Sequence, residues 1–325
     1  MKKIKDFLFM DLNFINTYVI VAFVFVILCI VGYFSYAYFT FEAITSGNIK
    51  IVSSYQNQNP TLLSKIMQDL VTDGSSEYGL FSTTSTNSGN PSYYYKGTDV
   101  NNYVNFAGLT WRIIRVNEDD SSIRIMLDNN ILDGPFSSNG DALTYYSLGI
   151  GVDDSAATNL FNWFDQTLDD YYQNEVIVDS IFCEQVKLPI DTMTSDTLAL
   201  SSQSSSYTPS FMCEEDENGL GEFSGAVGLI TIDEALYSGA VFYDGSSSGD
   251  TFLQTVSMSN QHMWTVNTGL SEYNWLFDFY SATLAGAPAN YSIVDQHPVI
   301  SLSSSVLVEA NGDGSYDNPY TVITG

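Results

Sequence analysis

The sequence predicts an α+β protein, with an N-terminal transmembrane helix followed by one mixed domain of short antiparallel strands and a few helices. Three observations lead to this prediction. The thirty residues between Asp11 and Glu42 carry no charged side chain. Short β-branched and aromatic runs separated by turn residues recur from residue 93 to the C-terminus. Helical patterns interrupt them over residues 156–172 and again from Thr231.

The uncharged segment is long enough to cross a bilayer as a helix. Roughly 20 apolar residues span a hydrocarbon core about 30 Å thick, and residues 14–39 supply them. Three lysines lie within residues 1–5 and the next basic residue is Lys50, so the positive-inside bias predicts a cytoplasmic tail over residues 1–13. The alternative is a cleaved signal peptide, but this run exceeds the roughly 7–15 apolar residues typical of one. We therefore expect a single-pass protein of the cell membrane with its C-terminal part extracellular.

Residues 40–92 are predicted to form a membrane-proximal stalk that contains one short helix. Asn59 and Pro60 are typical of a helix start, and apolar residues fall on one face over residues 60–71. The residues that follow, up to residue 92, are rich in Ser, Thr, Gly and Asn, which favours an exposed connection. The main extracellular domain is accordingly predicted over residues 93–325.

Three arginines lie in a predicted hairpin formed by residues 109–116 and 123–127. Arg112, Arg115 and Arg124 are three of the seven basic residues that follow residue 40. Carboxylates are abundant, so we expect these arginines to form structural ion pairs rather than a ligand site. Residues 112 and 115 differ by an odd number, which predicts that their side chains face opposite sides of the sheet.

The charge balance limits the classes of partner. The chain has 38 acidic and ten basic residues, a formal net charge of −28. Nucleic acid and anionic membrane surfaces are therefore excluded as electrostatically attracted partners. Calcium is the one cofactor that this acidity suits, and Asp313 and Asp317 in the loop 311–317 are its candidate ligands. The loop lacks the distal glutamate of an EF-hand, so its first interpretation is a turn.

The cysteines predict one disulfide. Cys29 lies within the apolar segment, which leaves Cys183 and Cys213 as an even pair in an oxidising compartment. A disulfide between them closes a loop of about 30 residues, a constraint that stabilises the fold by on the order of 3 kcal/mol.

Several short motifs occur in an order that resembles a known family. They include Tyr-Tyr-Tyr-Lys-Gly at 93–97, Trp-Arg-Ile-Ile-Arg at 111–115, Gly-Leu-Ile-Thr-Ile-Asp-Glu at 228–234 and Pro-Val-Ile-Ser-Leu at 298–302. This order resembles an exported surface domain family of unassigned function from Firmicutes-type bacteria. The family is similar to C-type-lectin-like and formylglycine-generating-enzyme-like folds, so the resemblance implies a lectin-like extracellular domain over residues 93–325. The chain departs from the family at 296–297, where Gln-His replaces the usual Gly-Val-Arg.

A group of aromatic and polar residues near the C-terminus suggests a ligand site. Sugars stack on aromatic rings beside amide and carboxylate groups, and late loops carry the ligands of lectin-like folds. Each tryptophan taken singly is also typical of a core residue. The candidate ligand-binding residues are Trp264, Asn267, Tyr273, Asn274, Trp275 and Asp278.

These observations predict a non-catalytic adhesion module that binds a glycan or a surface protein. The sequence contains neither a Gly-x-Ser-x-Gly nucleophile elbow nor a His-Glu-x-x-His metal motif, so no enzyme is predicted. The alternative is a structural subunit of a surface layer or filament, which would self-associate. A glycan-active hydrolase is less favoured, because so many acidic residues offer carboxylate pairs that no pair is singled out.

Overall fold

A computed structural model describes residues 59–71, 76–138, 155–169, 171–183, 207–213, 215–216, 219–268 and 273–325. All of them fall within one unit, Asn59–Gly325. The predicted tail over 1–13 and the predicted transmembrane segment over 14–39 lie outside the described residues. Within the described part, no helix is long and apolar enough to cross a membrane.

Three short α-helices follow from local sequence signals. Helix α1 (Leu62–Ile66) begins after Thr61, whose hydroxyl accepts a hydrogen bond from the Ser64 N–H at 3.1 Å. Helix α2 (Ala156–Phe164) is capped by Ser155 in the same way. Helix α3 (Ile232–Ser238) begins with a capping box formed by Thr231 and Glu234.

Helix α1 lies in a segment predicted as a stalk. Its side chains Leu62 and Ile66 are fully buried, and the Leu62 N–H donates to the Val306 carbonyl at 2.8 Å. The structure thus includes residues 59–71 and 76–92 in the same unit as the predicted main domain.

The described residues contain seventeen strands, numbered in chain order. They are β1 (Gly79–Thr83), β2 (Ser92–Lys96), β3 (Tyr103–Phe106), β4 (Leu109–Val116), β5 (Ile123–Leu127), β6 (Leu132–Asp133), β7 (Ser180–Cys183), β8 (Glu215–Asp216), β9 (Gly219–Leu220), β10 (Glu222–Gly225), β11 (Val241–Phe242), β12 (His262–Thr268), β13 (Tyr273–Asp278), β14 (Thr283–Pro288), β15 (Asp295–Gln296), β16 (Val299–Leu302) and β17 (Tyr320–Thr321).

These strands form two large sheets. The seven-stranded sheet follows the order β1-β2-β4-β3-β17, with β5 joining β4 to β16, and the six-stranded sheet follows the order β11-β14-β13-β12-β15-β6. Two further pairs, β7 with β10 and β8 with β9, complete the strand pairing in the described ranges. The buried apolar side chains of both large sheets belong to one continuous core cluster.

The predicted fold class is wrong. The sequence predicted a transmembrane helix followed by a lectin-like domain of short antiparallel strands with a few helices. The described part is instead a mixed α/β fold built mostly of sheet, with parallel as well as antiparallel pairs. Strand β17 pairs in parallel with β3, β15 with β12, and β11 with β14. Local turn signals predict antiparallel neighbours, whereas parallel partners need a crossover and are not adjacent in sequence. The pattern of short strands therefore does not predict these three parallel pairings.

A β-bulge changes the arrangement of the three arginines. Ile113 lies opposite Ile125 and Arg115 lies opposite Arg124, so Ile114 is an extra residue without a partner on β5. Arg112 lies opposite Met126, which shares a face with Arg124. All three arginines therefore project from the same face of the sheet, and the prediction of opposite faces is wrong because a bulge shifts the alternation by one residue.

Candidate functional site

Two of the arginines share one buried carboxylate. Glu234 Oε1 accepts from Arg115 Nε at 3.0 Å and from Arg124 Nη1 at 2.9 Å, and the Glu234 and Arg124 side chains are each 1% exposed. Burial raises the pKa of Glu234, but the charges of Arg124 and Arg115 outweigh it and hold that pKa below its usual value. Arg115 also pairs with Glu118 at 2.8 Å. The network ties helix α3 to β4 and β5 and leaves no accessible cation.

Arg112 lies in a separate and mostly neutral environment. Its Nε donates to Asn102 Oδ1 at 2.8 Å, and its Nη1 donates to the hydroxyls of Tyr103 and Thr255 at 2.9 and 2.7 Å. The Asp128 carboxylate is 3.9 Å away, too far for a hydrogen bond. Burial lowers the pKa of Arg112. Only 1% of its side chain is exposed, so it too is inaccessible to a ligand.

Both tryptophans predicted to stack on a sugar are buried. Trp264 is 0% and Trp275 is 2% exposed, and the Trp264 indole donates to the Gly134 carbonyl at 2.9 Å. Asn267 and Asn274 are also fully buried, and the Asn267 side chain accepts from the backbone N–H of Ile232. Tyr273 is the first residue of β13. These positions share one sheet, but the buried rings offer no surface for a sugar.

Asp278 is also buried, at 8% exposed, and both of its carboxylate oxygens already accept hydrogen bonds. Oδ2 accepts from Gln261 Nε2 at 2.5 Å and lies 3.2 Å from His262 Nε2. Oδ1 accepts from the Tyr280 N–H and from both the N–H and the hydroxyl of Ser281. The Ser281 hydroxyl faces the carboxylate rather than the imidazole, so these residues do not form a nucleophile–base pair. Asp278 organises the corner after β13.

The loop predicted to bind calcium is held by a lysine. Lys65 Nζ donates to the carbonyls of Ala310 and Gly312 at 2.7 and 3.0 Å. The candidate ligand Asp313 accepts from the Ser315 N–H in a local turn, and the other candidate, Asp317, is exposed. Among the described residues, no group of three or more acidic, His or Cys side chains suits a metal ion. Lys65 thus anchors two backbone carbonyls of this loop to helix α1.

The predicted disulfide is confirmed. Cys183 and Cys213 are bonded, with their Cα atoms 5.0 Å apart. The segment that returns to Cys213 is also held by Asp233, whose Oδ1 accepts from the Tyr207 hydroxyl at 2.8 Å and from the Ser210 N–H at 2.9 Å. Burial raises the pKa of Asp233 to about 7. A covalent bond and a buried carboxyl therefore fix this segment beside helix α3.

A surface cleft of about 310 Å³ lies beside the end of β3. Ala107 and Gly108 have φ values of 55° and 73° and form the tight turn that leads into β4. Strand β17 runs parallel to β3 and contributes the opposite side. The Tyr172 ring packs at a steep angle on Phe106, with the ring centroids 5.0 Å apart. The lining residues are Asn105, Ala107, Gly108, Tyr172, Thr321, Val322 and Thr324.

The polar side chains of this cleft differ from that of Asp278 because none of them is hydrogen-bonded to another described residue. Within the described ranges, the side chains of Asn105, Tyr172, Thr321 and Thr324 make no hydrogen bond, and none of the lining residues is charged. Asn105 and Thr321 lie directly opposite each other in the β3–β17 register, so their side chains share a face. The cleft thus combines an aromatic ring with one free amide and three free hydroxyls.

Sequence reasoning missed this cleft. It predicted short strands from residue 93 to the C-terminus and a helical pattern that ends at Tyr172, without connecting Asn105, Tyr172 and Thr321. No local signal joins them, because the parallel pairing of β17 with β3 brings together the two ends of the domain.

Comparison with known protein families, curated proteins and solved structures finds no match for this chain. The resemblance to an exported surface family therefore stays a prediction, and the site geometry carries the functional argument.

Proposed function

We propose that this protein is an extracellular binding module and that it holds an uncharged carbohydrate in the cleft between β3 and β17. One observation carries the proposal: the cleft presents Asn105, Thr321 and Thr324 with unpaired polar groups beside the ring of Tyr172.

The chemistry of the cleft fits a neutral sugar. The C–H face of a sugar packs against an aromatic ring, while its hydroxyls both donate to and accept from amide and hydroxyl groups. The volume of about 310 Å³ lies at the lower end of the range of about 300–1,000 Å³ for small-molecule sites. With a net charge of −28 on the chain, an anionic ligand would be repelled. A single neutral sugar ring is the occupant that satisfies size, polarity and charge together.

Binding without catalysis is part of the proposal. Hydrolysis of a glycosidic bond generally requires two carboxylates that flank it, and the seven lining residues contain no carboxylate. They also contain no histidine, cysteine or lysine that could serve as a base or nucleophile.

An exported location at the cell membrane is also part of the proposal. Disulfides form and persist in oxidising compartments, which supports placing the Cys183–Cys213 bond outside the cytoplasm. A strongly acidic surface keeps a protein soluble and limits its binding to nucleic acid, as expected of an extracellular module.

The test is binding of the purified protein to an array of neutral glycans. We expect at least one neutral glycan to bind, and Asn105→Ala to weaken that binding by about tenfold, because one or two hydrogen bonds are lost. The matched control is Asn290→Ala, which removes an exposed asparagine after β14. Absence of any glycan ligand, or equal affinity of the two variants, would contradict the proposal.

A further inference from the structure

Tyr316 is an exposed aromatic ring close to the cleft but outside its lining. Its side chain is 73% exposed, and its ring centroid lies 5.4 Å from that of Tyr103 at an interplanar angle of 77°. Singly exposed aromatic residues are ordinary on protein surfaces. The Tyr316 ring differs from such residues in two ways: its loop is anchored to neighbouring elements, and the ring lies against a residue of β3.

Tyr316 is held in place by the Tyr103 ring and by the loop 311–317. The Arg112 guanidinium lies 3.8 Å over the centre of the Tyr103 ring, and its Nη1 donates to the Tyr103 hydroxyl. The Tyr103 N–H donates to the Gly314 carbonyl at 2.8 Å, and Lys65 holds the same loop through Ala310 and Gly312. Tyr316 therefore projects from a loop that is anchored both to β3 and to helix α1.

The position follows from the strand register. Tyr103 and Asn105 are two residues apart on β3, so their side chains share a face and lie about 7 Å apart along the strand. Tyr316 contacts Tyr103. Tyr316 thus contacts a residue that lies on the same strand face as Asn105, which lines the cleft.

Resting on the function proposed above, we propose that Tyr316 is a second sugar-stacking subsite and that the ligand is a chain of at least two sugar units. One unit occupies the cleft, and the chain continues along β3 so that a further unit packs on Tyr316. Tyr316 is not one of the lining residues, so a sugar ring held by the lining residues alone does not stack on it. The ligand class is therefore a neutral oligosaccharide or polysaccharide rather than a monosaccharide.

The test measures affinity against chain length with the full-length protein. The probes are immobilised ladders of cello-, malto-, manno- and chito-oligosaccharides from one to six units. We expect the affinity for the recognised ladder to rise between one unit and the first lengths that reach Tyr316. The expected gain is between about two-fold and tenfold, the value of one aromatic contact.

Tyr316→Ala should abolish this gain and leave binding of the single unit unchanged. The matched control is Tyr280→Ala, which removes a ring that is 69% exposed in the turn between β13 and β14 and should alter neither value. Affinity independent of chain length, or a gain that survives Tyr316→Ala, would overturn the second subsite while leaving the cleft proposal intact. If the unmodified protein binds no ladder or single sugar, the proposed function itself fails.

Discussion

Replacing Glu234 with glutamine should reveal how strongly the buried ion network stabilises the fold. The substitution keeps the size of the side chain and removes its charge. Glu234 Oε1 accepts from Arg115 and Arg124, and Oε2 accepts from the Thr231 N–H at 2.9 Å in the capping box. A glutamine amide nitrogen cannot accept that third bond, so the change weakens both the ion network and the helix cap.

The expected loss of unfolding free energy is about 3–5 kcal/mol, the usual cost of leaving a buried charge without its partner. Arg124 is 1% exposed and Glu234 is its carboxylate partner among the described residues, so solvent cannot replace the lost charge. Native proteins are stable by only about 5–15 kcal/mol, so this one substitution should remove a large share of the total.

The assay is denaturant unfolding of the disulfide-bonded protein, with Glu118→Gln as the matched control. Glu118 pairs with Arg115 at 2.8 Å, but its side chain is 12% exposed and Arg115 retains Glu234. We expect this control to lose less unfolding free energy than Glu234→Gln, because both arginines keep their bonds to Glu234. If Glu234→Gln lowers the unfolding free energy no more than Glu118→Gln does, the two ion pairs of Glu234 do not stabilise the fold as expected.

The unfolding free energy should also depend on the protonation state of Glu234. Because its pKa is held below the usual value, its contribution should be present near neutral pH and lost as pH falls through the pKa of the folded state. The Glu234→Gln variant should therefore lose less stability than the unmodified protein on acidification below about pH 4.

Two further predictions concern the segment that returns to Cys213. Changing Cys183 and Cys213 together to serine should lower the unfolding free energy by about 3 kcal/mol, because the loop that the disulfide closes becomes free in the unfolded state. Denaturant unfolding measures this loss, and equal stability of the two proteins would contradict it. Burial raises the pKa of Asp233 to about 7. The contribution of Asp233 to the unfolding free energy should therefore be lost as pH rises from about 4 to about 7. The slope should be at most about 1.4 kcal/mol per pH unit. Asp233→Asn keeps the acceptor oxygen and should remove this pH dependence, and a slope that persists in the variant would assign it to another group.

Several local elements could be predicted from sequence because short-range interactions determine them. The hairpin over residues 109–127 follows from two β-branched runs separated by polar turn residues, and β4 and β5 pair as expected. Helix α3 begins after Thr231, where a helical pattern was predicted, and Thr231 and Glu234 satisfy each other's backbone N–H groups in a capping box. The disulfide followed from the number of cysteines and from the expected compartment, and the structure contains it.

The candidate site could not be predicted because it depends on contacts between distant residues. Trp264 lies on β12 and Trp275 on β13, and polar residues occupy the neighbouring positions of both strands. Only the packing of the six-stranded sheet decides that both rings are buried. The acidic composition of the loop 311–317 is a local property, whereas its attachment to helix α1 through Lys65 joins residues more than two hundred positions apart.

The sequence by itself determined the acidic charge, the cysteine pair and the local hairpin and helix signals, because composition and short-range hydrogen bonding are properties of neighbouring residues. Only the tertiary structure decided the parallel partner of β3, the bulge at Ile114 and the cleft formed by Asn105, Tyr172 and Thr321. The physical reason is the same in each case: strand pairing and burial are set by residues that meet only when the chain has folded, and no local pattern records which distant segment they will meet.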